Sequence, residues 1–112
     1  MQPNLVNPAD WQNHEVIFDD GDFSAVWGQY KGIFCLGTRW NGDGNDERGY
    51  PGQGAYPLWF IIPEYLTLSV LERLNTISIQ SDLRDDNNQA YSDNINATIR
   101  EFLNSRPVEA QN

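Results

Sequence analysis

The spacing of apolar side chains along this chain shifts from a period of two, through an irregular stretch, to a period between three and four, and these shifts mark its elements. His14 to Phe18 reads as a strand that ends in Asp19-Asp20-Gly21-Asp22, where Asp-Gly favours a tight hairpin turn. Phe23 to Tyr30 alternates well enough to put Phe23, Ala25 and Trp27 on one face. Lys31-Gly32 marks the next turn. Ile33 to Trp40 then sets Phe34, Leu36, Thr38 and Trp40 opposite Ile33, Cys35, Gly37 and Arg39. Consecutive strands joined by short turns make an antiparallel meander.

Gly and Pro then punctuate residues 41–57, so neither helix nor strand is expected there. An irregular stretch of that length inside a compact domain is usually functional or disordered. Leu58 to Ile62 reads as a fully buried fourth strand, and Pro63-Glu64 opens a helix, with Pro at its favoured first position. Tyr65, Leu66, Leu68, Val70, Leu71, Leu74 and Ile77 form its apolar stripe, leaving Glu72 and Arg73 outside. Residues 78–89 read as a polar connection, with a fragment of strand at Ile77-Ser78-Ile79. A second helix, capped by Ser92 or Asp93, gathers Tyr91, Ile95, Ile99, Phe102 and Leu103 on one face and ends before Pro107. Residues 1–12 form an arm that Trp11 tucks down, and 107–112 a tail. The predicted fold is one α+β domain over 1–112, an antiparallel meander of about four strands packed by two helices.

Composition changes this picture mainly by exclusion. The chain has 112 residues, 16 Asp and Glu against 7 Lys and Arg, a formal charge of −9, one Cys and one His. That length holds one core and leaves no room for a separate cofactor domain. A lone Cys35 forms no internal disulfide, no opening segment reads as a signal peptide, and Leu58-Trp59-Phe60-Ile61-Ile62 falls far short of the roughly 20 residues of a membrane span. A soluble, cytoplasmic protein is expected, with no membrane association. Nucleic-acid binding is disfavoured, because its affinity comes largely from Lys and Arg displacing counterions from phosphates. The acidity favours solubility and basic partners.

Catalytic constellations fare poorly. Cys35 sits among Ile33, Phe34 and Leu36, where it reads as a core thiol, although chain order leaves a meeting with His14 open. No Ser stands in a Gly-x-Ser-x-Gly setting, and one His with one Cys cannot complete a zinc site. Asn41, Asp43 and Asn45 alternate like the first ligands of a calcium loop, but Asp46 stands where its Gly belongs and Gly52 where its closing Glu belongs. Nothing fixes Asp43, Asp46 and Glu47 at a glycosidase separation. The expectation leans away from an enzyme, with no metal and no cofactor.

Large amphipathic side chains bracket the long loop: Arg39 and Trp40 before it, Arg48, Tyr50 and Tyr56 within it, Trp59 after it. Trp, Tyr and Arg dominate interface hot spots, and they also stack on planar ligands. The plainer assignment makes Trp40 and Trp59 core and leaves Tyr50 and Tyr56 pinning the loop. Two functions follow. One is a non-enzymatic binding or inhibitor module that uses loop 41–57 and the acidic turns against a basic protein partner, and that assembles as a homodimer or higher oligomer. The other is a small-ligand or single-strand binding protein in which Trp27, Tyr30 and Trp40 form a stacking platform.

The passage Ile61-Ile62-Pro63-Glu64, from a fourth strand into a helix, resembles the fold of the single-stranded-DNA-binding transcription coactivators. The Lys/Arg-rich strands of that family are absent, Lys31 being the sole lysine, so none of its binding residues carries over. Gly37-Thr38-Arg39-Trp40-Asn41-Gly42 and Leu58-Trp59-Phe60-Ile61-Ile62-Pro63, in a short acidic Trp-rich chain, are similar in style to uncharacterised proteins of mobile gene cassettes and phages. That resemblance implies self-association or partner inhibition.

Overall fold

The computed structural model describes residues 11–42, 49–53, 56–57 and 59–105, with the backbone alone at 52, 53, 56 and 57. Strands β1 (Trp11–Asp19), β2 (Phe23–Tyr30) and β3 (Ile33–Trp40) form the meander, followed by β4 (Gly52–Gln53), β5 (Tyr56–Pro57) and β6 (Phe60–Ile61), then helices α1 (Glu64–Ser81) and α2 (Tyr91–Ser105). The main sheet runs β1-β2-β3-β6 and is antiparallel throughout; β4 and β5 pair as a separate small hairpin. The α+β architecture is as expected, a four-stranded antiparallel sheet packed by two helices. Among the described residues, no helix is long and apolar enough to cross a membrane.

The turns close as their residues dictate. Gly21 takes a φ of 98°, and the Asp20 carboxylate accepts the N–H groups of Asp22 and Phe23. Lys31 and Gly32 both have positive φ, the signature of a hairpin turn whose twist matches its strands. β1 begins at Trp11, inside the segment read as an arm, because that indole is buried against Val26 and Trp59. β1 is bulged twice. One bulge puts Asn13 and His14 across from Gly28; the other makes Ile17 an extra residue between Val16 and Phe18, so that both Ile17 and Phe18 enter the core.

The helices cover one face of the sheet. Ala25, Trp27 and Leu36 pack there against Leu71 and Leu74 of α1 and against Tyr91, Ile95 and Phe102 of α2. On the reverse face, Trp11, Val26 and Trp59 form a second, smaller cluster. Gly37 is its floor, where an added Cβ would stand 3.0 Å from the Trp59 side chain and 3.1 Å from that of Trp11.

Several sequence expectations need correction. Residues 41–57 contain the β4/β5 hairpin. The fourth strand is only Phe60–Ile61 and is exposed, since it lies at the sheet edge with nothing packed over it among the described residues. Ile77-Ser78-Ile79 is helical, not strand, because α1 continues to Ser81. There Asp82 adopts the left-handed conformation and the Leu83 N–H reaches the Ser78 carbonyl, ending the helix without a glycine. Pro63 precedes α1 as its cap. The α1 stripe rotates onto Thr67, Leu71, Leu74 and Ser78, leaving Tyr65 and Leu66 exposed, while in α2 Thr98 is buried and Leu103 exposed. The tail 107–112 lies outside the described residues.

Candidate functional site

Beyond the reach of the helices, the helix-side face of the sheet carries an uncovered aromatic row. Phe23 of β2 pairs across the ladder with Trp40 of β3, and Trp40 pairs in turn with Tyr50. Directly opposed antiparallel residues share a face, so the three rings stand side by side. In the next row Ala25 opposes Thr38, and Thr38 opposes Phe60. The short Thr38 leaves a dip between rings, a cleft of about 140 Å³ bordered by Phe23, Trp40, Tyr50, Pro51 and Phe60. Exposure makes it a surface instead of a core: Tyr50 is 69 % exposed, and Trp40 and Phe60 are each 56 %. The rings of Phe23 and Trp40 meet edge to face at 4.9 Å.

The loop return that carries Tyr50 is held tightly. Trp40 donates its N–H to the Tyr50 carbonyl at 2.6 Å and accepts the Tyr50 N–H at 2.9 Å. Gly49 makes this approach geometrically allowed. Its φ is +70°, and a Cβ there would overlap the Trp40 carbonyl oxygen and stand 2.7 Å from Arg39 Nη2. The Tyr50–Pro51 peptide is cis. Arg39, only 1 % exposed, donates from Nη1 to the Pro51 carbonyl at 3.2 Å, with its guanidinium 6.0 Å from the centre of the Trp59 ring. A buried guanidinium is tolerated only when carbonyls and aromatic faces replace its water. Arg39 therefore anchors the loop from behind the sheet.

The acidic β1/β2 turn joins the same end. Asn41, 4 % exposed, donates to Asp19 Oδ1 at 3.1 Å and accepts the Ser24 hydroxyl at 2.6 Å, while its N–H reaches the Asp22 carbonyl at 2.7 Å. These bonds lock the turn to the end of β3, so the exposed Asp20 and Asp22 stand beside Phe23. A second acidic turn lies around Tyr91, whose hydroxyl is pushed up to about 12 by burial first and then by the charges of Asp19, Asp85 and Asp86.

The anticipated binding set is thus divided. Trp40 and Tyr50 share the platform. Arg39 and Trp59 are buried supports on the reverse face, because strand alternation turns them away from Trp40 and Phe60. Arg48 lies outside the described residues, as do Asp43, Asn45, Asp46 and Glu47; Tyr56 is placed in β5 by its backbone alone. The alternative platform is not assembled: Trp27 is buried under Phe102 and donates its indole N–H to the Glu101 carboxylate, and Tyr30 packs on the opposite face beside Trp11. Phe23, Thr38, Pro51 and Phe60 were missed. The period-two pattern held the signal for Phe23 beside Trp40 across one hairpin, and for Phe60 turned away from Trp59.

His14 and Cys35 flank Gly28 in one cross-strand row, and His14 makes no hydrogen bond to the thiol. Among the described residues, no group of three or more His, Cys, Asp or Glu side chains is placed to hold a metal ion. No family model matches this chain, and no curated protein or solved structure matches it either.

Proposed function

We propose that this protein acts by binding another polypeptide, through the aromatic platform of Phe23, Trp40, Tyr50 and Phe60, with the acidic β1/β2 turn as its charged rim. The observation that carries this reading is the exposure of Trp40, Tyr50 and Phe60 around one shallow cleft. Its volume of about 140 Å³ is below the roughly 300 Å³ at which small-molecule pockets begin. An apolar space of about 150 Å³ holds a benzene-sized group, so the cleft suits one anchoring side chain of a partner. The charge of −9 selects a basic partner and works against nucleic acid. A cytoplasmic setting, in which Cys35 stays reduced, accords with this reading.

Self-association is a second reading, supported by exposed Phe60, Ile61, Tyr65 and Leu66 so close together in sequence. The polypeptide reading is tested by affinity capture from an extract of the native host, comparing the wild-type chain with the double substitution Trp40→Ala, Tyr50→Ala. Both side chains are exposed, so circular dichroism is expected to report an intact fold. A protein retained by the wild type and lost from the double variant supports the platform; equal retention by both removes it.

A further inference from the structure

We propose that the segment captured by the platform is a proline-containing, arginine- or lysine-flanked stretch in the polyproline II conformation. This deepens the polypeptide-binding reading and rests on it. Around the cleft the backbone is already paired. Trp40 exchanges both of its ladder bonds with Tyr50, and Thr38 is paired with Ala25 on one side and Phe60 on the other, so the β3 backbone under the cleft is taken, and the outer edge of β6 offers an added strand only two residues of ladder. Recognition falls to side chains, and a proline-rich segment suits that condition. It has few N–H groups to satisfy, it is pre-ordered, and its prolines pack against aromatic rings.

Two further features point the same way. The indole N–H of Trp40 and the hydroxyl of Tyr50 are in no hydrogen bond among the described residues, although both rings are more than half exposed. They are free to donate to carbonyls of a polyproline II backbone, which are otherwise solvated. Among the described residues, the exposed charge at the rim is also one-sided. Asp22 immediately precedes Phe23, and its carboxylate takes no part in the hydrogen bonds of the turn, while the guanidinium of Arg39, next to Trp40 in β3, is turned behind the sheet and only 1 % of the residue is exposed. A proline segment flanked by Lys or Arg meets that field, and an acidic one is repelled.

The test is a nuclear magnetic resonance titration of the full chain with synthetic peptide pools. One pool has Pro-x-x-Pro randomised at x and flanked by arginines; the others are its Pro→Ala version, its Arg→Glu version and a basic pool without proline. A neutral glucan oligosaccharide is a further probe. The arginine-flanked proline pool is expected to shift the Trp40 indole and the amides near Phe23 and Phe60. Affinity should fall at least about tenfold for the Pro→Ala pool and for Trp40→Ala, and about two- to fivefold for Asp22→Asn, with a weaker salt dependence in that variant. Equal binding of the Pro→Ala pool overturns the proposal. So do shifts from the proline-free basic pool alone, an outcome that leaves polypeptide binding standing. Shifts from the oligosaccharide alone, or no shift at the platform from any probe, overturn both.

Discussion

Gly49 shows how one residue decides whether the platform exists. Its positive φ and the overlap any Cβ would make with the Trp40 carbonyl mean that Tyr50 reaches its place only because position 49 has no side chain. Gly49→Ala is expected to destabilise the fold by about 1–3 kcal/mol and to release Tyr50 from its pairing with Trp40, read by urea unfolding and by loss of the Trp40–Tyr50 backbone cross-peaks in nuclear Overhauser spectra. Tyr91 offers a second residue-level prediction. Its hydroxyl is held to about 12, above the ordinary 10.0, so the folded state favours the neutral form. That stabilisation is complete below pH 10 and disappears as the pH rises through 12. Tyr91→Phe is expected to show a smaller fall in stability between those values, as measured by urea midpoints at each pH. An equal fall in both proteins would contradict the assignment.

At the scale of elements, the bulges of β1 do what a regular strand could not. The first presses His14 onto Gly28, where an added Cβ would stand 2.5 Å from His14 Cβ and 2.7 Å from its Cα. Gly28→Ala must therefore push two strands apart. A loss of about 1–3 kcal/mol is expected, with the platform unchanged because it lies at the other end of β2; a destabilised variant that still shows the wild-type Trp40 indole shift would bear this out. The alternation of Phe34, Leu36, Thr38 and Trp40 against Cys35, Gly37 and Arg39 was legible in sequence, since the pleat has a period of two. The helices were legible for the same reason at their own period. Their orientation was less so: Thr67, Ser78 and Thr98 are buried while Tyr65 and Leu103 are exposed, because position against the sheet outranks hydropathy.

At the scale of the whole molecule, charge and apolar surface are arranged together. Asp20 and Asp22 border the platform, and Asp85 and Asp86 lie in the turn that leads into α2, so acidity collects at turns and the strand interiors stay nearly clear of it. If copies associate through the exposed residues Phe60, Ile61, Tyr65 and Leu66, each carries −9, and salt should promote assembly by screening that repulsion. Light scattering over a range of protein and salt concentrations is expected to rise from the 12.8 kDa of one chain towards a dimer. A mass that stays at one chain at high concentration and high salt would remove self-association and leave the heterologous partner.

The sequence by itself determined the three-stranded meander, the two helices, the two faces of β2 and β3, the turns between β1, β2 and β3 and the acidic character of their rim, but not the β4/β5 hairpin or the helical state of Ile77-Ser78-Ile79. Each follows from neighbours close along the chain: a two-residue pleat, a 3.6-residue turn, a glycine with positive φ. It also pointed to Trp40 and Tyr50. Only the tertiary structure decided that Arg39 and Trp59 are buried, that Phe60 comes to lie beside Thr38 and Tyr50 beside Trp40, and that the helices stop short of the platform. Those facts depend on strand register and on where the helices cover the sheet, which are long-range packing outcomes that no local pattern encodes.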